Sequence, residues 1–168
     1  MGLDMYLKAT KHTYKSEYQG RDAPPATAPP ATATPGRDAI EQAIYDIEIP
    51  KAFNKYGGRE FSCDAMYWRK ANAIHGWFVD NVQDGQDDCR PYYVCHSQLR
   101  DLLGVINQVL DCPDNANELL PTTSGCFFGH AEYDEYYFDV LTNTQDRLAK
   151  ILSMPDLDTW SFEYMSSW

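Results

Sequence analysis

Two alternating segments, one near each end of the chain, constrain the fold most. Near the start, Leu3, Met5, Leu7 and Ala9 alternate with Asp4, Tyr6, Lys8 and Thr10; near the end, Trp160, Phe162 and Tyr164 alternate with Ser161, Glu163 and Met165. A two-residue period sends alternate side chains to opposite faces, so each segment predicts a half-buried strand, and pairing them would close both ends of the chain into one small sheet. Between the ends the period is helical. Leu99, Leu102, Leu103, Ile106, Val109 and Leu110 give the clearest amphipathic helix, ended near Pro113, with Ser97 as its expected N-cap. A last long helix is expected from about Tyr133, with Tyr137, Leu141, Leu148 and Ile151 on one face, stopping before Pro155. Tyr67, Ala71, Ile74 and Phe78 recur at helical spacing and predict a helix opening near Tyr67; Gly76 within it costs about 1 kcal/mol against alanine and points to close packing there. Ile40, Ala43, Ile44 and Ile47 suggest a short helix ended by Pro50, while 60–66 and 92–95 read as extended. The sum is an α+β fold: a small antiparallel sheet, including the N- and C-terminal strands, packed with three or four helices.

At 168 residues the chain is expected to be a single domain, 1–168. It is interrupted by a Pro/Ala/Thr-rich loop at 22–37, because proline fixes φ and removes the N–H a sheet interior needs. No apolar run approaches the ~18 residues of a membrane span, and Met1–Lys8 is not a signal peptide, so neither membrane nor secretion is expected. The five cysteines form no CxxC pair and are odd in number, the pattern of free thiols in a reducing cytoplasm; Cys89, Cys95 and His96 are the only close group, and no metal is assigned.

Charge is distributed unevenly. The net charge is −11, and residues 80–168 alone carry four bases against sixteen acids. Such a surface repels phosphate backbones and argues against nucleic-acid binding, though it suits a mimic that presents acids to a DNA-binding protein. Against this background the basic pair Arg69-Lys70 stands beside Asn72, His75 and Trp77 at what the spacing reads as a helix start. Free N–H groups and two cations converging there would hold an anion. A second segment supplies neutral donors and rings: Thr122, Thr123 and Ser124 can hydrogen-bond phosphate or ribose, while Phe127, Phe128 and Tyr133 can stack on a base. The segment is no P-loop, since the lysine and its spacing are missing. The loop 80–91 departs from a calcium loop at Val82 and Pro91. No GxSxG or HExxH occurs, His75 lacks an acid close in sequence, and no catalytic residue or cofactor is assigned.

The blocks MGLDMYL (1–7), YWRKANAIHGWFVDNVQDGQDDC (67–89), LPTTSGCFFGHAEYDEYYFDVL (120–141) and the closing SSW (166–168) resemble a family of small, functionally uncharacterised bacteriophage proteins; the Pro-rich insert is not part of that pattern. The resemblance implies a phage accessory protein acting in the cytoplasm of the infected bacterium. By analogy with phage proteins of similar size, the leading expectation is a sponge that sequesters a small anionic nucleotide-type immune signal and so inhibits antiviral defence, whether as a monomer or a homo-oligomer. Its binding residues would be Arg69, Lys70, Asn72, His75, Trp77, Thr122, Thr123, Ser124, Phe127, Phe128 and Tyr133. The alternatives are an acidic inhibitor directed at a host defence nuclease or DNA-binding protein through the acids of 80–88 and 132–139, and a nucleotide-acting enzyme using His75 with an acid from 132–135.

Overall fold

The computed structural model describes residues 2–14, 58–125 and 128–168. The expected helix at 40–47, the Pro-rich loop at 22–37 and Phe127 lie outside them. Among the described residues the strands are β1 (Asp4–Tyr14), β2 (Gly58–Arg69), β3 (Tyr92–Val94) and β4 (Trp160–Ser167). The helices are α1 (Asn72–Asn81), α2 (His96–Asp111), α3 (Ala116–Leu119) and α4 (Glu135–Leu152), with 3₁₀ turns at Pro113–Asn115 and Leu157–Thr159. The four strands form one antiparallel sheet in the order β2-β1-β4-β3, so the fold is α+β with the N- and C-terminal strands as its two central members. The chain divides into two compact units, Met1–Lys11 with Ser62–Trp168, and His12–Phe61. In the second, His12 Nε2 lies 3.8 Å from Glu60 Oε2.

The terminal alternation sets the register. β1 and β4 pair antiparallel with Met5 opposite Ser166, Leu7 opposite Tyr164 and Ala9 opposite Phe162, and all six are buried. The other face carries Tyr6 opposite Met165 and Lys8 opposite Glu163. β3 extends the sheet beyond β4, with Val94 opposite Phe162. On β2, Ala65 and Trp68 are both buried although three residues apart, so the strict alternation breaks once between them.

The helices complete the core from apolar faces. α2 buries Leu99, Leu102, Ile106 and Val109, and α4 buries Tyr137, Leu141, Thr144, Leu148 and Ile151. These two helices pack together, tied by a 2.7 Å bond from Gln145 Nε2 to Asn107 Oδ1. Their starts differ from the sequence expectation. Cys95, not Ser97, is the N-cap of α2, because Gln98 reaches back to the Cys95 N–H and completes a capping box. α4 opens at Glu135, since the Asp134 carboxylate accepts the Tyr137 N–H at 3.0 Å. α1 buries the polar Asn72 and His75 along with Ala73, Ile74, Trp77 and Phe78, and Phe78 is stacked flat on Tyr164 at 3.9 Å. No described helix is long and apolar enough to cross a membrane.

Candidate functional site

α1 does not begin where the spacing of apolar residues suggests. Tyr67, Trp68 and Arg69 are the last residues of β2, and the helix starts at Asn72. The pattern misleads because a strand running into a helix also buries residues at near-helical spacing, Trp68, Ala71, Ile74 and Phe78, while Tyr67 of the expected stripe is exposed. Trp68 is held there by its indole N–H, which donates to Thr144 Oγ1 at 2.8 Å. The reversal falls on Lys70, whose φ of 56° is left-handed and whose N–H donates to Leu3 O at 2.7 Å. Arg69 and Lys70 are therefore not in a helix's first turn, and they do not sit among its free N–H groups. They stand exposed where β2 ends at Arg69 and the chain turns at Lys70, and neither side chain makes an ion pair or hydrogen bond with another described residue.

The two segments singled out in the sequence do meet at this turn. Asn72, itself buried, donates from Nδ2 to His130 O at 2.8 Å and to Phe128 O at 3.3 Å, while its Oδ1 accepts the Thr123 N–H at 3.2 Å. One amide thus fixes three points of the 122–130 segment against the helix start. Close approach is needed elsewhere too. A Cβ at Gly76 would sit 2.4 Å from Thr123 Oγ1, which explains glycine inside this helix. Gly129, at φ 97°, lies against Lys70, where a Cβ would come within 3.1 Å of the lysine Cβ. Thr122 Oγ1 donates to Ala131 O at 3.0 Å, the Tyr133 hydroxyl accepts the Thr122 N–H, and the Tyr136 hydroxyl donates to the Arg69 carbonyl. Between the segments a cleft of only about 20 Å³ remains, bordered by Lys70, Asn72, Thr122, His130, Glu132 and Tyr136, room for a water-sized group.

The rings around the turn are exposed: Tyr67 and Tyr136 at 51% and Tyr133 at 37%. The Tyr67 hydroxyl donates to Asp4 Oδ1, which raises its pKa, and the positive Arg69 partly opposes the rise. Burial raises Tyr136 against the same opposing charge. Both phenols therefore stay protonated as donors well past neutral pH.

Behind the turn the polar groups are closed on one another. His75 is 1% exposed. Its Nε2 lies 3.0 Å from Asp87 Oδ2 and its Nδ1 2.8 Å from the Tyr164 hydroxyl. A carboxylate only accepts, so Nε2 carries the proton and a neutral ring accepts at Nδ1 from Tyr164. Asp87 Oδ1 also accepts the Trp168 indole N–H at 3.0 Å. Burial, then the nearby Asp87 charge, hold the Tyr164 hydroxyl well above the usual tyrosine range. Phe128 covers His75 edge-on at 5.2 Å, and Trp168 packs on Phe128.

The residues picked from the sequence therefore separate. Arg69, Lys70, Ser124 and Tyr133 are exposed, Thr122 and Thr123 half-buried, and Asn72, His75, Trp77 and Phe128 interior. Tyr67, Tyr136 and His130 at the turn, and Asp87, Tyr164 and Trp168 behind it, were not singled out for this site by sequence. Asp87 was the most accessible of these to reasoning, since it is a carboxylate twelve residues from His75 in a short loop. Among the described residues no group of three His, Cys, Asp or Glu side chains could hold a metal ion. Comparison of the chain with protein-family models, with curated proteins and with solved structures finds no match.

Proposed function

We propose that this chain is a bacteriophage accessory protein that binds and sequesters a small anionic, nucleotide-type signal of host defence at the Arg69–Lys70 turn. The observation that carries the reading is a pair of adjacent, exposed cations without ion partners among the described residues, in a chain of net charge −11, with exposed tyrosines beside them. Phosphate oxygens would lie on Arg69 and Lys70, and each charge-assisted contact is worth about 1.5–3 kcal/mol. A cleft of about 20 Å³ takes no more than one such oxygen, so the body of the ligand would lie across the surface, against Tyr133, Tyr136 and Ser124. The acid–base role considered for His75 finds no support, because that ring is buried with both nitrogens engaged; the groups that do border the cleft, His130, Glu132 and Asp134, are the ones a turnover assay has to probe. The phage context rests on the motif blocks quoted above.

Calorimetry against a panel of cyclic dinucleotides and cyclic ADP-ribose isomers tests the reading. The expected result is micromolar or tighter binding to at least one, lost in Arg69→Ala without a drop in melting temperature, with the ligand recovered chemically unchanged. No binding across the panel overturns it, and a converted ligand replaces it with an enzyme. A protein-directed inhibitor is the second reading, supported by the exposed acids Asp80, Asp84, Glu132, Glu135 and Asp139. It predicts a host partner captured at low salt and released at high salt.

A further inference from the structure

A larger cavity lies elsewhere in the first unit, between the C-terminal half of α4 and the inner face of β1, β2 and β4. Its volume is about 320 Å³, at the lower end of the range of small-molecule sites. The room follows from residue size: Ala9 and Ala65 put only methyl groups on a face where Leu7 and Met5 fill the space further along. Met154, Trp160 and Phe162 make an apolar wall. The indole of Trp160 is fixed, since its N–H donates to Asp156 Oδ2 at 3.1 Å and the Lys11 ammonium, itself bonded to Asp156, lies 5.9 Å from the ring centroid.

The remaining wall is cationic. Residues 80–168 hold only four bases, and two of them, Arg147 and Lys150, line this cavity. Arg147 is oriented by its Nε–H, which donates to the Ala65 carbonyl at 2.7 Å, but neither side chain forms an ion pair with a described residue. Two cations one helical turn apart, without an ion partner among the described residues and above a fixed aromatic wall, are a pattern that an amphiphilic anion completes.

We infer that this cavity is a second ligand site, for a small organic anion whose charged group rests on Arg147 and Lys150 and whose flat apolar body lies against Met154 and Trp160. It is separate in residues from the Arg69–Lys70 turn and stands or falls independently of that reading. The probe is 1-naphthoate, titrated into the full chain while the Trp160 indole N–H is followed by nitrogen-15 NMR, with the neutral 1-naphthalenemethanol as its uncharged counterpart. Naphthoate is expected to shift that resonance saturably, and both Lys150→Glu and the loss of the ligand's charge to weaken binding by about tenfold or more. Arg100→Glu, an equal charge change elsewhere on the surface, is expected to leave the affinity within about twofold. The inference is overturned if naphthoate gives no saturable shift, if Lys150→Glu binds as well as the wild type, if the neutral compound binds equally well, or if Arg100→Glu weakens binding as much as Lys150→Glu.

Discussion

Arg69 and His75 stand six residues apart on one continuous stretch, yet their polar groups meet opposite fates. The imidazole of His75 is enclosed, and each of its nitrogens has a partner from a distant part of the chain, Asp87 on one side and Tyr164 on the other. The guanidinium of Arg69 is exposed and has no ion partner among the described residues. A buried polar group left without its partner costs most of its desolvation, so partners must be supplied from within. An exposed cation pays no such penalty and can remain available to a ligand. The comparison teaches that chemistry-bearing residue types are no guide to accessibility: of two unusual groups in one motif, one builds the molecule and the other is left to meet something outside it.

The sharpest way to break this contrast is to remove the enclosed partner. His75→Ala leaves the Tyr164 hydroxyl buried without its acceptor, deprives Asp87 of one of its donors and opens a void under Phe128. The expected cost is about 3–5 kcal/mol, or on the order of ten degrees in melting temperature, read by chemical and thermal denaturation. A loss below about 1 kcal/mol would mean the column contributes little to stability and would reopen a functional role for His75.

A smaller effect with a pH signature is expected at Tyr164. Tyr164→Phe keeps the ring that stacks on Phe78 but removes the donor to His75, costing about 1–3 kcal/mol at neutral pH. The hydroxyl's pKa is raised in the folded state, whereas in the unfolded chain it ionises near the ordinary tyrosine value of about 10. The wild type therefore keeps the full benefit of this group below about pH 10 and loses it as pH rises from there toward the folded value. Phenylalanine has no proton to lose, so the stability gap between the two proteins should narrow above pH 10. Urea denaturation at a series of alkaline pH values measures the gap; one that stays constant or widens contradicts the assigned environment. The other tyrosines with raised values, Tyr67, Tyr92, Tyr136 and Tyr137, are present in both proteins and cancel in the difference.

How much of this was legible beforehand divides along the same line. The terminal strands and helices α2 and α4 could be read because their periodicity is local and repeated over several turns or pleats. The pairing of the terminal strands could be expected from matching alternation at the two ends, but their central place in the sheet could not, because alternation says nothing of strand order. The boundary of α1 could not be read, because an apolar period cannot reveal the left-handed residue at Lys70 that separates strand from helix. Unusual composition marked segments 67–77 and 120–133 but did not say that they meet, and Gly76 in a helix pointed to close packing without naming Thr123 as the neighbour. Of the hidden column, Asp87 lay within reach of reasoning, one short loop from His75, but Tyr164 did not, since 89 residues separate it from His75 and only the folded sheet brings it beneath the ring. The cavity beside Trp160 was equally hidden, for it depends on two alanines from different strands facing the end of α4.

The smallest predicted effect bears on the exposed side of the comparison. Lys70 holds a left-handed φ of 56°, a conformation that costs a residue with a Cβ about 1–2 kcal/mol. Glycine would adopt it freely but gives up about 0.4–1 kcal/mol through its greater freedom in the unfolded chain. Lys70→Gly should therefore gain about 0.5–1 kcal/mol and raise the melting temperature by a few degrees. The same change removes one of the two cations proposed to hold phosphate. A variant that is more stable yet binds less tightly would identify this turn as a place where strain is kept for the sake of a side chain's charge. A variant no more stable than the wild type would show that the lysine stem, packed against Gly129, already compensates for the strained backbone. In that case Lys70 would belong with His75 among the residues that build the molecule, leaving Arg69 as the one member of the basic pair displayed for a ligand.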